Sequence, residues 1–139
     1  MKEHGTLHLR TVAGDCLRFE AEFSTGSVVM DSGDAPAGPN PVQTLLASLA
    51  ACEAMDVISV LRKQRQHVTA YAVLMSGERA ADHPRRYTAI ELLHRVTGQG
   101  VRLQAVEEAV RLTVEKYCSV YHCLRPDIVI TNRIEICEG

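Results

Sequence analysis

The chain has 139 residues, of which 46 % are apolar and 23 % charged, the balance of a globular protein built on one hydrophobic core. A formal net charge of −2, a pI near 6.3 and a 4 % aromatic share without Trp leave no signature of nucleic-acid binding or of attraction to an anionic membrane. The first residues hold no apolar run of signal-peptide length, and five cysteines without secretory context argue against a disulfide framework. A single cytoplasmic domain over residues 1–139 is expected.

The first third reads as three short strands. Leu7 and Leu9 alternate with polar residues, and Ala13-Gly14-Asp15 turns the chain. Leu17, Phe19, Ala21 and Phe23 alternate again, and Ser24-Thr25-Gly26 leads into Val28-Val29-Met30. The run DSGDAPAGPNP is a loop into the longest element. There Asn40 suits an N-cap and Pro41 the first helical position, where a missing N–H costs nothing. Leu45, Leu46, Leu49, Ala50, Met55, Val57, Ile58 and Leu61 follow without a Gly or Pro, up to a basic end, Arg62-Lys63-Gln64-Arg65, that suits the helix dipole. Apolar residues fall on nearly every face, so this central helix is expected to be buried all round, with Cys52 in its middle. Ser48, Glu53, Asp56 and Ser59 interrupt it too often for a membrane span.

Residues 68–77 and 86–97 both read as strands, joined by a charged link that carries Pro84. Tyr71, Val73 and Met75 share one side of the first, and Ile90, Leu92 and Val96 one side of the second. After Gly98-Gln99-Gly100, a strand-to-helix turn, Leu103, Val106, Ala109, Val110, Thr113, Val114 and Tyr117 follow at helical spacing, and Cys118 closes that helix. A short turn through His122 and Cys123 precedes a last strand over 127–137, with Ile128, Ile130, Ile134 and Ile136 on one face. The order β-β-β-α-β-β-α-β is α+β, with antiparallel sheet and two helices. Six strands of so short a chain cannot enclose the central helix, so a second copy is expected to supply the missing cover as an obligate homodimer.

Two thiols carry the chemistry to be weighed. Cys52 and Cys118 are either small core hydrophobes, as most buried cysteines are, or a redox pair in which one thiol is oxidised and the other resolves it. Sixty-six residues separate them, and spacing does not decide. Asp56 lies one turn on from Cys52, on the same face, and a carboxylate near a thiol disfavours the thiolate unless a cation such as Arg18, Arg85 or Arg86 from a second copy neutralises it. Cys118, His122 and Cys123 form one cluster without the second ligand pair of a structural zinc site, and neither metal nor organic cofactor is expected. The histidines His4, His8, His67, His83 and His94 form no recognisable dyad.

The run NPVQTLLASLAAC at 40–52, then a helix, two strands, a helix and KYCSV at 116–120, resembles the OsmC/Ohr family of osmotically inducible and organic hydroperoxide resistance proteins. The pieces ACEAMDVISVLRKQRQ, MSGERAA, VTG and EKYCSV resemble its YhfA-like subgroup. The resemblance implies an intertwined homodimer whose two central helices are wrapped by sheets from both chains. It also implies a peroxidatic Cys52, a resolving Cys118, a small-molecule hydroperoxide as substrate and an external dithiol as reductant. Peroxidases of this family carry a Glu ten residues before the first cysteine, paired with an N-terminal Arg; here that position is Val42. Gln43 and Arg18 are the nearest candidates to line the site in their place, with Asp56 a further one. The reading is thus a thiol-dependent peroxide-handling protein of weak activity. The alternative is a non-catalytic protein that binds a small apolar ligand at the dimer interface.

Overall fold

The computed structural model describes residues 1–139, apart from the side chains of Val12 and Ala13. These residues form two compact units, 1–45 and 46–139.

In the first unit, β1 (Gly5–Ala13), β2 (Cys16–Phe23) and β3 (Gly26–Met30) make an antiparallel meander. Leu9 pairs with Phe19 and Phe19 with Met30, so the alternating residues share registers across the sheet. The loop that follows is folded around Asp31, whose side chain accepts from the backbone N–H groups of Ser32 (2.8 Å) and Ala37 (2.9 Å) and from Arg18 Nε (2.9 Å). The Ala37 N–H, ahead of Arg18, holds the Asp31 carboxyl below its ordinary range. A capping box then starts α1 (Pro41–Lys63): Asn40 Oδ1 accepts from the Gln43 N–H at 2.8 Å, and Gln43 Oε1 accepts from the Asn40 N–H at 2.9 Å.

The second unit contains the rest of α1 and a sheet of β4 (His67–Arg79), β5 (Tyr87–Gln99) and β6 (Val129–Glu138), with β5 in the centre. At the end of α1, Arg65 turns left-handed (φ 55°) and the Gln66 N–H donates back to Leu61 O at 3.0 Å. Strands β4 and β5 are antiparallel, but β6 runs parallel to β5, which corrects the expected all-antiparallel sheet. The cause is the helical connection between them: a crossover returns the chain to the end of the sheet it left, so the next strand points the same way.

The second predicted helix is also divided. Regular α2 (Leu103–Leu112) passes into a π turn over Thr113–Tyr117, in which the Cys118 N–H reaches back to Thr113 O at 2.8 Å, and a one-turn helix α3 (Ser119–Cys123) follows. Such π insertions often lie at functional sites.

The core of this unit joins Val57 and Leu61 of α1 to Val96 of β5, Val101, and Ala105, Val106, Ala109 and Val110 of α2. On length and composition alone α1 could cross a membrane, yet its stripe Leu49, Ala50, Glu53, Val57 and Leu61 is buried within the chain. Burial all round is not met in one chain: Met55 is 70 % exposed and Leu45 43 %.

Candidate active site

One turn of α1, Cys52-Glu53-Ala54-Met55-Asp56, sets three ionisable groups on two adjacent ridges of the helix. Cys52 and Asp56, four residues apart, share one ridge, and both are half-buried. The π turn and the start of α3 bring Cys118, fully buried, to the same place: the sulfurs of Cys52 and Cys118 and a carboxylate oxygen of Asp56 all lie within 4.8 Å of one another. Cys118 Sγ also caps α3, accepting from the Tyr121 N–H at 3.4 Å. Burial pushes the Cys118 thiol up to about 12; the neighbouring Cys52 and the Glu53 charge add to the rise, against the opposing Tyr121 N–H. Asp56 Oδ2 is buried and has no hydrogen-bond partner among the described residues.

Glu53 lies on the other ridge, between Leu49 and Val57, and is fully buried. It faces a chain of polar side chains, each drawn from the core-facing row of a different strand. His94 of β5, itself fully buried, meets the Tyr71 hydroxyl of β4 at 2.6 Å through Nδ1 and Asn132 Oδ1 of β6 at 2.8 Å through Nε2. Nε2–H donates to Asn132 Oδ1, and the Tyr71 hydroxyl is the partner of Nδ1. Burial, and then the Glu53 charge, raise the Tyr71 hydroxyl well above its ordinary range, so it remains a donor. Glu53 Oε2 stops 3.5 Å from His94 Nε2, and neither carboxylate oxygen has a hydrogen-bond partner among the described residues.

Three comparisons bear on this arrangement. The profile of the OsmC-like protein family matches residues 32–133. The chain belongs to the OsmC family. It is 37 % identical over 121 residues to protein YhfA of Escherichia coli K12, covering 86 % of this chain and 90 % of that one. A hypothetical protein from Aquifex aeolicus shares the fold at a TM-score of 0.83, with 29 % identity and 99 % of each chain covered. The organic hydroperoxide resistance protein OhrB of Bacillus subtilis shares the fold alone, at a TM-score of 0.65 and 16 % identity over 95 % of this chain and 98 % of that one.

Within the OsmC frame, the structure brings together Cys52, Cys118 and Asp56 of the predicted site residues. Cys52 is half-exposed rather than deeply buried, because the ridge it shares with Asp56 is turned away from the Leu49–Val57 ridge. Gln43 is engaged in the capping box of α1, and Arg18 in its ion pair with Asp31. Arg86 pairs with Asp127 at 3.2 Å. Val42, in the place of the family's glutamate, is a half-buried residue of the first helical turn. His122 and Cys123 do not join Cys118 as a ligand set: His122 Nε2 lies 2.9 Å from Val114 O and Cys123 is exposed.

The network around His94 corrects the expectation that the histidines form no dyad. Its signal was available. His94 continues the row Ile90, Leu92, Val96; Asn132 fills the gap in the row Ile130, Ile134, Ile136; and Glu53 continues the ridge of Leu49, Val57 and Leu61. A polar residue in a buried row must find a partner, so three such rows predict a network.

Proposed function

We propose that this protein reduces organic hydroperoxides slowly, through a thiol–disulfide cycle between Cys52 and Cys118. The observation that carries the reading is that two sulfurs far apart in sequence lie within 4.8 Å, one half-exposed on α1 and one buried at the cap of α3. Membership of the OsmC family supports a redox or hydroperoxide-related role. Cys52, the accessible thiol, attacks the distal oxygen of the hydroperoxide. The O–O bond breaks, an alcohol leaves, and Cys52 becomes a sulfenic acid. The Cys118 thiol condenses with it, forming the disulfide and releasing water, and an external dithiol restores both thiols. Forming the disulfide brings the sulfurs to about 2.05 Å.

The same reading makes the turnover slow. Val42 cannot hold a guanidinium over the thiolate, and Asp56 sets a carboxylate beside it. The working form is a cytoplasmic homodimer, supported by the row Ser48, Ala51, Met55 and Ser59 of α1, whose small and apolar side chains are exposed in one chain and permit close helix approach. Cumene hydroperoxide consumption with dithiothreitol tests the cycle. Wild-type protein turns over and Cys52→Ser does not; with dithiothreitol omitted, Cys118→Ser stops at a sulfenic acid that dimedone traps. Full activity in Cys52→Ser would refute the assignment.

A second reading, binding of a small apolar ligand, is favoured by a cavity of about 330 Å³ in the first unit, lined by Leu7, Leu17, Phe19, Met30, Asp31, Ser32 and Pro41. Under that reading no hydroperoxide is consumed, and Phe19→Arg abolishes binding of an apolar fluorescent probe.

A further inference from the structure

Asp56 is the wrong neighbour for a peroxidatic thiol. It sets a carboxylate against Cys52, where a thiolate would have to form, and one of its oxygens is buried without a hydrogen-bond donor. A desolvated carboxylate oxygen without a donor costs free energy that a bound cation would recover. Two sulfurs lie in reach of the same point, and two sulfurs with one carboxylate oxygen are a donor set for a thiophilic divalent ion.

We propose that the reduced protein binds one such ion, for which Zn²⁺ is the probe, through Cys52 Sγ, Cys118 Sγ and the Asp56 carboxylate, leaving a fourth position open. The geometry fits. Zinc binds sulfur at about 2.3 Å and carboxylate oxygen at about 2.0–2.2 Å, which in a tetrahedron sets donors about 3.5–3.8 Å apart. The three donor atoms here already lie within 4.8 Å of one another, so modest side-chain rotations close the site. Two donors come from one helical ridge at i and i+4, and the third from the cap of α3, whose position is fixed by the π turn. Three protein ligands with one open position is the form of catalytic rather than structural zinc sites. Binding forms two metal–sulfur bonds and one metal–oxygen bond and releases the two thiol protons; no electron moves. It consumes both sulfurs, so metal-bound and disulfide forms exclude one another. The site rests on the donor geometry and the unpartnered oxygen, not on the peroxidase reading.

The test uses reduced full-length protein freed of metal with a chelator. Zn²⁺ is titrated against a chromophoric chelator, and Co²⁺ is added separately to report thiolate ligation by charge-transfer absorption. The expected result is one ion per chain with cobalt–thiolate absorption, kept when Cys16, Cys123 and Cys137 are replaced together by Ser. Asp56→Asn should weaken Zn²⁺ by at least about tenfold, since even outer-shell partners of a metal are worth 10–100-fold. Cys118→Ser should abolish uptake, and so should oxidation of wild-type protein to the disulfide, a control that holds if that variant fails to fold. No uptake by reduced wild-type protein, unchanged affinity in Asp56→Asn, or uptake by the disulfide form would each overturn the proposal. Because hydroperoxide consumption is assayed separately and without metal, failure here leaves the redox cycle standing, and failure there leaves this site standing.

Discussion

Glu53 is a fully buried carboxylate whose two oxygens find no hydrogen-bond donor among the described residues, and its neutralisation by Gln should stabilise the fold. The nearest group of complementary character, His94 Nε2, is 3.5 Å away and already committed to Asn132 at 2.8 Å, so the carboxylate has lost its water without a full replacement. Leaving a buried polar group unsatisfied costs about 1–3 kcal/mol, more when it is charged. Glu53→Gln keeps the shape and removes the charge, and a gain of about 1–3 kcal/mol is expected; at about 2–4 °C per kcal/mol for a chain near this size, that is a rise of several degrees. His94→Leu should act in the opposite direction. It orphans the Tyr71 hydroxyl and the Asn132 amide at about 1–3 kcal/mol each, a large part of a typical 5–15 kcal/mol stability. Urea unfolding followed by circular dichroism at one fixed protein concentration measures both, provided the m-values agree. A loss of more than about 1 kcal/mol in Glu53→Gln would refute the reasoning. It would mean that the carboxylate is paired in the folded protein, with a protonated His94 or with a group from a second copy.

Leu49→Lys cannot report on assembly, because Leu49 is fully buried within one chain; Met55→Lys can. As a monomer the variant should lie within about 0.5 kcal/mol of wild type, whereas across a helix–helix interface it should split the dimer, and an unchanged dimer mass by sedimentation equilibrium would remove Met55 from the interface. For the thiols, Cys118 raised to about 12 by burial predicts that its alkylation by iodoacetamide is slow at neutral pH and still accelerates at about pH 10, where an ordinary thiol has levelled off. Peptide mass spectrometry separates Cys118 from the other four cysteines, and a plateau by about pH 9 would show that the thiol is not held protonated.

The elements were legible where one residue's neighbours decide its state. Asn40 and Pro41 start α1, and the alternation in residues 87–99 gives β5 its buried face. Direction was not legible in that way: alternation states which residues share a face, so the rows of β6 are the same for a parallel or an antiparallel partner. The crossover helix between β5 and β6 held that information, and parallel pairing follows from it. The division of the second helix at Leu112 was invisible for another reason. The stripe from Leu103 to Tyr117 is continuous, and the π turn shifts the register without interrupting it. The meeting of Cys52 with Cys118 depends on that shift and on tertiary packing, neither of which spacing encodes.

What local reading did contain is a conflict. Within the apolar α1, one turn carries Cys52, Glu53 and Asp56, and the chain then buries Glu53 completely and half-buries the other two. Helix formation does not need them, since Leu49, Val57 and Leu61 complete the same ridge. Core packing does not need them either, since an apolar residue at 53 would fill the space without orphaned oxygens. Stability therefore opposes this turn on both of its ridges, and sites where local consistency is broken without local gain are where function is expected. The two ridges divide the work. Asp56 faces two sulfurs and completes a donor set. Glu53 faces a histidine fixed by Tyr71 and Asn132, and it adds negative charge near Cys118. Zn²⁺ binding in the thiol cluster releases two thiol protons, so it leaves the net charge beside both carboxylates unchanged. The metal-bound and metal-free proteins should accordingly show the same stability gain from Glu53→Gln within about 0.5 kcal/mol, and a gain that vanished with Zn²⁺ would show that the two thiols do not both ionise on binding.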